Sequence, residues 1–176
     1  MPEVSPDATL IIATSWQALS RAETGNERAI ICNCTVIIVF AAFFIEANLN
    51  QFIEMAGNIE GLSPAPGEHD GLQKKLGWVY NSFVADKPVT YADDLRVKLE
   101  EEFPGFQAIR KFRNDVSHGI IDRSVATLGT AKQLRIAAKA IVDRLSDIAR
   151  ERHIGIKRGV EYEMAISSTD AGSSAA

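Results

Sequence analysis

A chain of 176 residues, 46% apolar and 24% charged, can build one full hydrophobic core but is short for two domains. Its net charge of −4 and pI near 5.4 exclude the broadly basic surface of a typical nucleic-acid-binding domain, so any such contact must come from a local patch or a groove shared with a partner. Six prolines, and few Gly or Pro inside the long apolar stretches, favour helices over many short strands.

In chain order, Ser5-Pro6-Asp7 has the features of a helix start: a capping hydroxyl, Pro at the first helical position and an acid in the first turn. Ala8, Ile11, Ile12, Trp16 and Leu19 follow at helical spacing, and the helix should end near Gly25. A second helix is predicted from about Asn26 to Ala56, with Gly57 as its stop. Its middle is apolar all round, which predicts a buried central post.

The most apolar run, Val36 to Ile45, covers about ten residues against the roughly twenty that span a bilayer. Asn33 and Thr35 flank it on one side, Glu46 and Asn48 on the other, so no membrane span is expected. The N-terminus has no basic segment of signal-peptide type. Cys32 and Cys34 point in different directions on a helix, which makes a bridge between them poor, and they read as two buried thiols. No histidine lies beside them to complete a zinc set. The consistent compartment is the reducing cytoplasm.

Residues 57–71, with Pro64, Pro66 and several glycines, predict a long loop. Leu72 to Val84 reads as one helix, broken by Asp86-Lys87-Pro88. Lys74, Lys75 and Lys111 could contact phosphate, with solvent exposure as the default, and Trp78 and Tyr80 read as core. Thr90-Tyr91-Ala92-Asp93 fits a capping box that opens a helix through Leu95 and Leu99 to Phe103. The acidic run Glu100-Glu101-Glu102 reads as a solvated face. After Pro104-Gly105, a further helix carries Phe106, Ile109, Phe112 and Val116 and should end at Gly119.

Residues 120–129 form a connection, and Thr130-Ala131-Lys132-Gln133 fits a second capping box. The last helix is amphipathic, with Leu134, Ala137, Ala138, Ile141, Leu145 and Ile148 on one face. Val160 to Ile166 is compatible with a short strand, and the Ser/Ala/Gly-rich Ser167 to Ala176 with disorder. The chain thus divides into an all-α domain over residues 1–153 and a partly disordered tail over 154–176.

One segment carries chemistry: Phe112-Arg113-Asn114-Asp115-Val116-Ser117-His118-Gly119. Asn114 and His118, four apart, share a helix face, so the amide is expected to orient the imidazole. Arg113 offers a rigid, permanently charged fork suited to phosphate. His118 can exchange a proton near neutral pH. Cleavage of a phosphodiester by its own 2′-hydroxyl needs a base, an acid and a cation, and two facing copies of this pair would supply all three without a metal. A capping His and a paired Arg are the competing, purely structural account. His69 and His153 have no second ligand at metal spacing.

This Arg-Asn-x-x-x-His segment at a helix end resembles the signature of the HEPN superfamily. So does the earlier stretch Phe44-Ile45-Glu46-Ala47-Asn48-Leu49-Asn50, with an acid and an Asn near a helix end. The resemblance spans roughly residues 8–152. It implies an up-and-down bundle of four to six helices that dimerises through the motif helix, and a metal-independent endoribonuclease without a cofactor. Arg113 would hold the phosphate, His118 would be the acid/base and Asn114 its orienter, with Glu46, Lys111 and Ser117 as substrate-binding candidates. The implied partners are a second copy of the chain, RNA as substrate, and an antitoxin or another protein if the domain is a toxin or defence component. Other members of the family are non-catalytic binding modules, which is the alternative.

Overall fold

The computed structural model describes residues 17–67, 69–120 and 123–154. These fold as an all-α bundle with no strand among them. The order is α1 (helical over 17–24), α2 (Glu27–Ala56), α3 (Leu72–Val79), α4 (Ala92–Glu102), α5 (Phe106–Ser117) and α6 (Leu128–Glu151). The expected cap at Ser5-Pro6-Asp7, Trp16, the 160–166 segment and the tail from 155 onward lie outside the described residues.

α2 is the central post. Asn26 caps it by accepting the Ala29 N–H at 3.0 Å, and Gly57 follows its last residue. At 30 residues it is about 45 Å long, enough to reach every layer of the bundle. Cys34, Ile37, Ile38, Ile45, Leu49, Phe52 and Ala56 are fully buried along it. α6 packs against α2 more extensively than any other helix does, and α5 comes second. α6 contributes Leu134, Ala138, Ile141, Leu145 and Ile148 to the shared core. Among the described residues α2 is also the one helix long and apolar enough to cross a membrane, with an 18-residue window of mean hydropathy 2.3. Two polar side chains before the apolar run bond back to the helix: Asn33 Nδ2 to the Ala29 carbonyl and Thr35 Oγ1 to the Ile31 carbonyl, each at 2.8 Å.

Several local expectations are corrected. α3 does not continue to Val84; it passes into a π turn over Tyr80–Val84. The widened turn sets Phe83 edge-on between Phe52 and Trp78, at centroid distances of 5.4 and 5.5 Å. The Phe83 carbonyl accepts from Arg152 Nη2 at 2.7 Å. Thr90 is not a cap: Tyr91 precedes α4 and gives it no side-chain bond, while Asp93 and Asp94 favour the first turn through the helix dipole. The second expected box also shifts. α6 begins at Leu128, capped by Thr127, whose Oγ1 accepts the Thr130 N–H at 3.2 Å. Starting earlier adds the turn that carries the fully buried Ala131.

Cys32 is exposed and Cys34 buried, both free. The two-residue spacing that rules out a bridge also puts one thiol outside. Burial pushes the Cys34 thiol above its ordinary pKa. One equivalent of thiol is therefore expected to react with iodoacetamide in the native protein, at Cys32, and two after unfolding. Peptide mass mapping checks this, and rapid native labelling of Cys34 would contradict the packing described.

Candidate functional site

The site is built on α5, and three devices fix that helix. Gly105 precedes it in the left-handed region, at φ +84. A side chain there would put a Cβ 2.7 Å from the Ala137 Cβ, so glycine permits both the conformation and the close approach to α6. Glu100, reaching across from α4, accepts the Gly105 N–H at 2.7 Å and the Gln107 N–H at 2.9 Å. Buried Phe106, Ile109 and Phe112 dock α5 on the core. The acidic run is thus not simply a solvated face. Glu100 caps α5, Glu102 binds Arg144 Nε at 2.6 Å, and Glu101 pairs with Lys98 on the surface.

The C-terminal end closes as a Schellman motif. The Ile120 N–H bonds the Asp115 carbonyl at 2.8 Å, the Gly119 N–H bonds the Val116 carbonyl at 2.9 Å, and Gly119 sits at φ +76. His118 is the C-cap, at φ −93 and ψ 10, so it has left the helix.

With one face of α5 on the core, its flank carrying Arg110, Arg113 and Asn114 borders a cleft of about 370 Å³. Ala42 and Glu46 of α2, the start of α3 from Gly71 to Lys74, and Leu95 of α4 complete the lining. At its inner end lies an ion network. Glu46 places Oε1 3.5 Å from Lys75 Nζ and Oε2 3.8 Å from Arg113 Nη2. Lys75 also donates to Asn50 Oδ1 at 2.7 Å. Lys75 is 1% exposed, Glu46 26% and Arg113 42%, so the network runs from the core to solvent. At the outer rim Lys74 pairs with Asp70 at 2.8 Å. That bond, with the Gly67 N–H, holds the Asp70 carboxyl below its usual range.

The six candidate residues separate into two groups. Glu46, Arg113 and Asn114 meet in the cleft. His118, Lys111 and Ser117 do not line it. His118 is exposed at the end of α5. Asn114 does not orient it: Asn114 Oδ1 instead accepts from Arg113 Nη1 at 3.4 Å. The His118 N–H still bonds the Asn114 carbonyl at 3.1 Å, so the two residues keep their i, i+4 relation, but the Asn114 amide oxygen turns to Arg113 instead. Lys111 lies about 160° round the helix from Arg113 and pairs with Asp115 at 2.6 Å. Ser117 Oγ donates to the Asn114 carbonyl at 2.7 Å.

Sequence reasoning missed Arg110 and the burial of Lys75, and it quoted Asn50 only as part of the run that carries Glu46. Lys75, expected at the surface, is buried beside Glu46. A signal existed, since Leu72, Lys75, Leu76 and Val79 fall on one helical face. Asn50 stands four residues after Glu46 on α2, again on one face. No family model, curated protein or solved structure matches this chain.

Proposed function

We propose that this domain is a metal-independent endoribonuclease of HEPN type that acts as a homodimer in the cytoplasm, as a toxin or defence component. The observation that carries the reading is the presence on one helix of Arg113, at the mouth of a solvent-open cleft, and of His118, exposed at its end. Glu46 supports it by holding the Arg113 guanidinium through a long, replaceable contact of 3.8 Å, one that a phosphate could outcompete.

In this reading Arg113 grips the phosphodiester and stabilises the charge that builds on its oxygens. One His118 takes the proton from the 2′-hydroxyl. The oxygen attacks phosphorus, and the bond to the 5′-oxygen breaks as the His118 of a second copy protonates it. Products are a 2′,3′-cyclic phosphate and a free 5′-hydroxyl. A single chain offers one such imidazole, which is why the reading requires a dimer. Asn114 steadies Arg113 rather than the imidazole.

The test is cleavage of mixed RNAs in EDTA. Wild type should cut, and His118→Ala should lose at least about a hundredfold in rate. Equal cutting by the variant, or intact RNA with purified wild-type dimer, sinks the enzyme reading. The acidic pI of 5.4 and the ion-paired state of Arg113 favour a second reading, a non-catalytic helical binding module. Expression separates the two: a toxin slows its host and Arg113→Ala relieves it, whereas a binding module is harmless in both forms.

A further inference from the structure

Behind the cleft sits a cation that no ligand there can touch. Lys75 is 1% exposed and does not line the cleft, yet its ammonium lies 3.5 Å from Glu46 Oε1. The other oxygen of that carboxylate is 3.8 Å from Arg113 Nη2, and both Glu46 and Arg113 do line the cleft. One carboxylate is thus shared between an inner cation on α3 and an outer cation on α5. Asn50, one turn after Glu46 on α2, accepts from Lys75 Nζ at 2.7 Å and fixes the ammonium in place. Arg113, 42% exposed, is the member of the network that is open to solvent.

This sharing changes the cost of freeing Arg113. An ionised carboxylate only 26% exposed is costly to leave without a cation. With Lys75 in place, Glu46 keeps a cationic neighbour when Arg113 turns to an anion in the cleft. Without Lys75, departure of Arg113 would strip Glu46 of the last cation beside it among the described residues, so the pair would hold more tightly. The ammonium also adds to the positive potential behind the guanidinium.

We propose that Lys75 is a positioning residue for Arg113: from inside the bundle it keeps Glu46 charge-matched, and so sets how readily Arg113 passes from the carboxylate to a phosphate of the RNA backbone. The RNA part rests on the ribonuclease reading; the linkage from Lys75 through Glu46 to Arg113 does not. Because Lys75 touches no substrate, it acts on affinity and leaves the chemical step alone.

Two measurements test this. The first needs no RNA. Native protein is treated with phenylglyoxal, a neutral reagent for guanidinium groups that carboxylates do not hold, and the rate at Arg113 is read by peptide mass mapping. Lys75→Met should slow Arg113 about threefold or more, and Glu46→Gln should speed it by about the same factor. The double variant should match Glu46→Gln, because the lysine acts only through the carboxylate. Asn50→Asp guards against a folding defect. It keeps the lysine, nearly preserves the volume of the amide and gives the ammonium a nearer carboxylate than Glu46, so it should slow Arg113 as Lys75→Met does. A merely structural role for Lys75 has the opposite sign, since a loosened α3 would uncover Arg113 and speed its reaction. Lys98→Ala, which removes an exposed charge on α4, should react as wild type does.

The second measurement is affinity for a 2′-O-methylated RNA that cannot be cut, with kcat and KM for a cleavable one. Lys75→Met should weaken binding and raise KM about threefold while kcat holds, and adding Glu46→Gln should restore both. Unchanged or faster modification of Arg113 in both Lys75→Met and Asn50→Asp overturns the linkage, as does slowing that persists in the double variant. Wild-type RNA affinity in Lys75→Met overturns the passage to phosphate. If wild type neither binds nor cuts RNA, the ribonuclease reading falls, and the modification rates still decide the linkage.

Discussion

Phe52→Ala is expected to destabilise the domain by about 3–5 kcal/mol, a large share of the ~5–15 kcal/mol that a domain of this size has. Phe52 is fully buried near the C-terminal end of α2 and packs edge-on to Phe83, which in turn stacks edge-on with Trp78. Truncation removes the ring and leaves a void that three elements bound: α2, α3 and the π turn. Collapse into that void is hindered, because Asn81 ties the turn to the next segment through two bonds with the Val89 backbone, at 2.9 and 3.2 Å. Urea unfolding followed by circular dichroism gives the value. A loss under about 1.5 kcal/mol would mean that the aromatic trio repacks freely, contrary to the arrangement described.

Lys75→Met is expected to cost about 2–3 kcal/mol. The methionine fits the space of the lysine stem but removes the ammonium that joins α3 to Asn50 and Glu46 of α2. Asn50 then loses a charge-assisted partner inside the bundle. The penalty stays below that of a fully buried broken pair because Glu46 is partly wet and keeps Arg113. A cycle with Glu46→Leu separates the contributions. The double variant should recover much of the loss, with a coupling of about 1 kcal/mol or more between the two positions. Purely additive losses would show that Lys75 acts through Asn50 alone.

The parts of the fold written in local patterns were legible. Asn26 and Gly57 bracket α2, the period of Leu134, Ile141, Leu145 and Ile148 marks α6, and Gly119 ends α5 in a motif that needs a left-handed residue. Failures fell where neighbours compete. Thr127 and Thr130 both satisfy a capping rule, and the burial of Ala131 decides between them. The π turn depends on where Phe52 and Trp78 lie, which no local pattern contains. Glu46, Arg113 and Asn114 each stand in a short recognisable run, and the fold brings these three to one cleft. Lys75 shares a face with Leu72, Leu76 and Val79, but its carboxylate and amide partners stand on α2, and Arg110 joins the cleft only when α5 meets α2 and α3. The Asn114–His118 pairing failed because the Asn114 amide oxygen accepts from its neighbour Arg113, a competition that spacing alone does not decide.

The pairing of α2 with α6 also bears on how the chain is made. The two helices enclose most of the core, yet about seventy residues separate the end of one from the start of the other. At roughly 5–20 residues per second, translation from Ala56 to Glu151 takes on the order of 5–20 s. Throughout that interval α2, the one helix among the described residues long and apolar enough to cross a membrane, is complete while the helix that covers it is not. It is during synthesis, rather than in the finished bundle, that α2 most resembles a substrate for chaperones or for a membrane insertion machine.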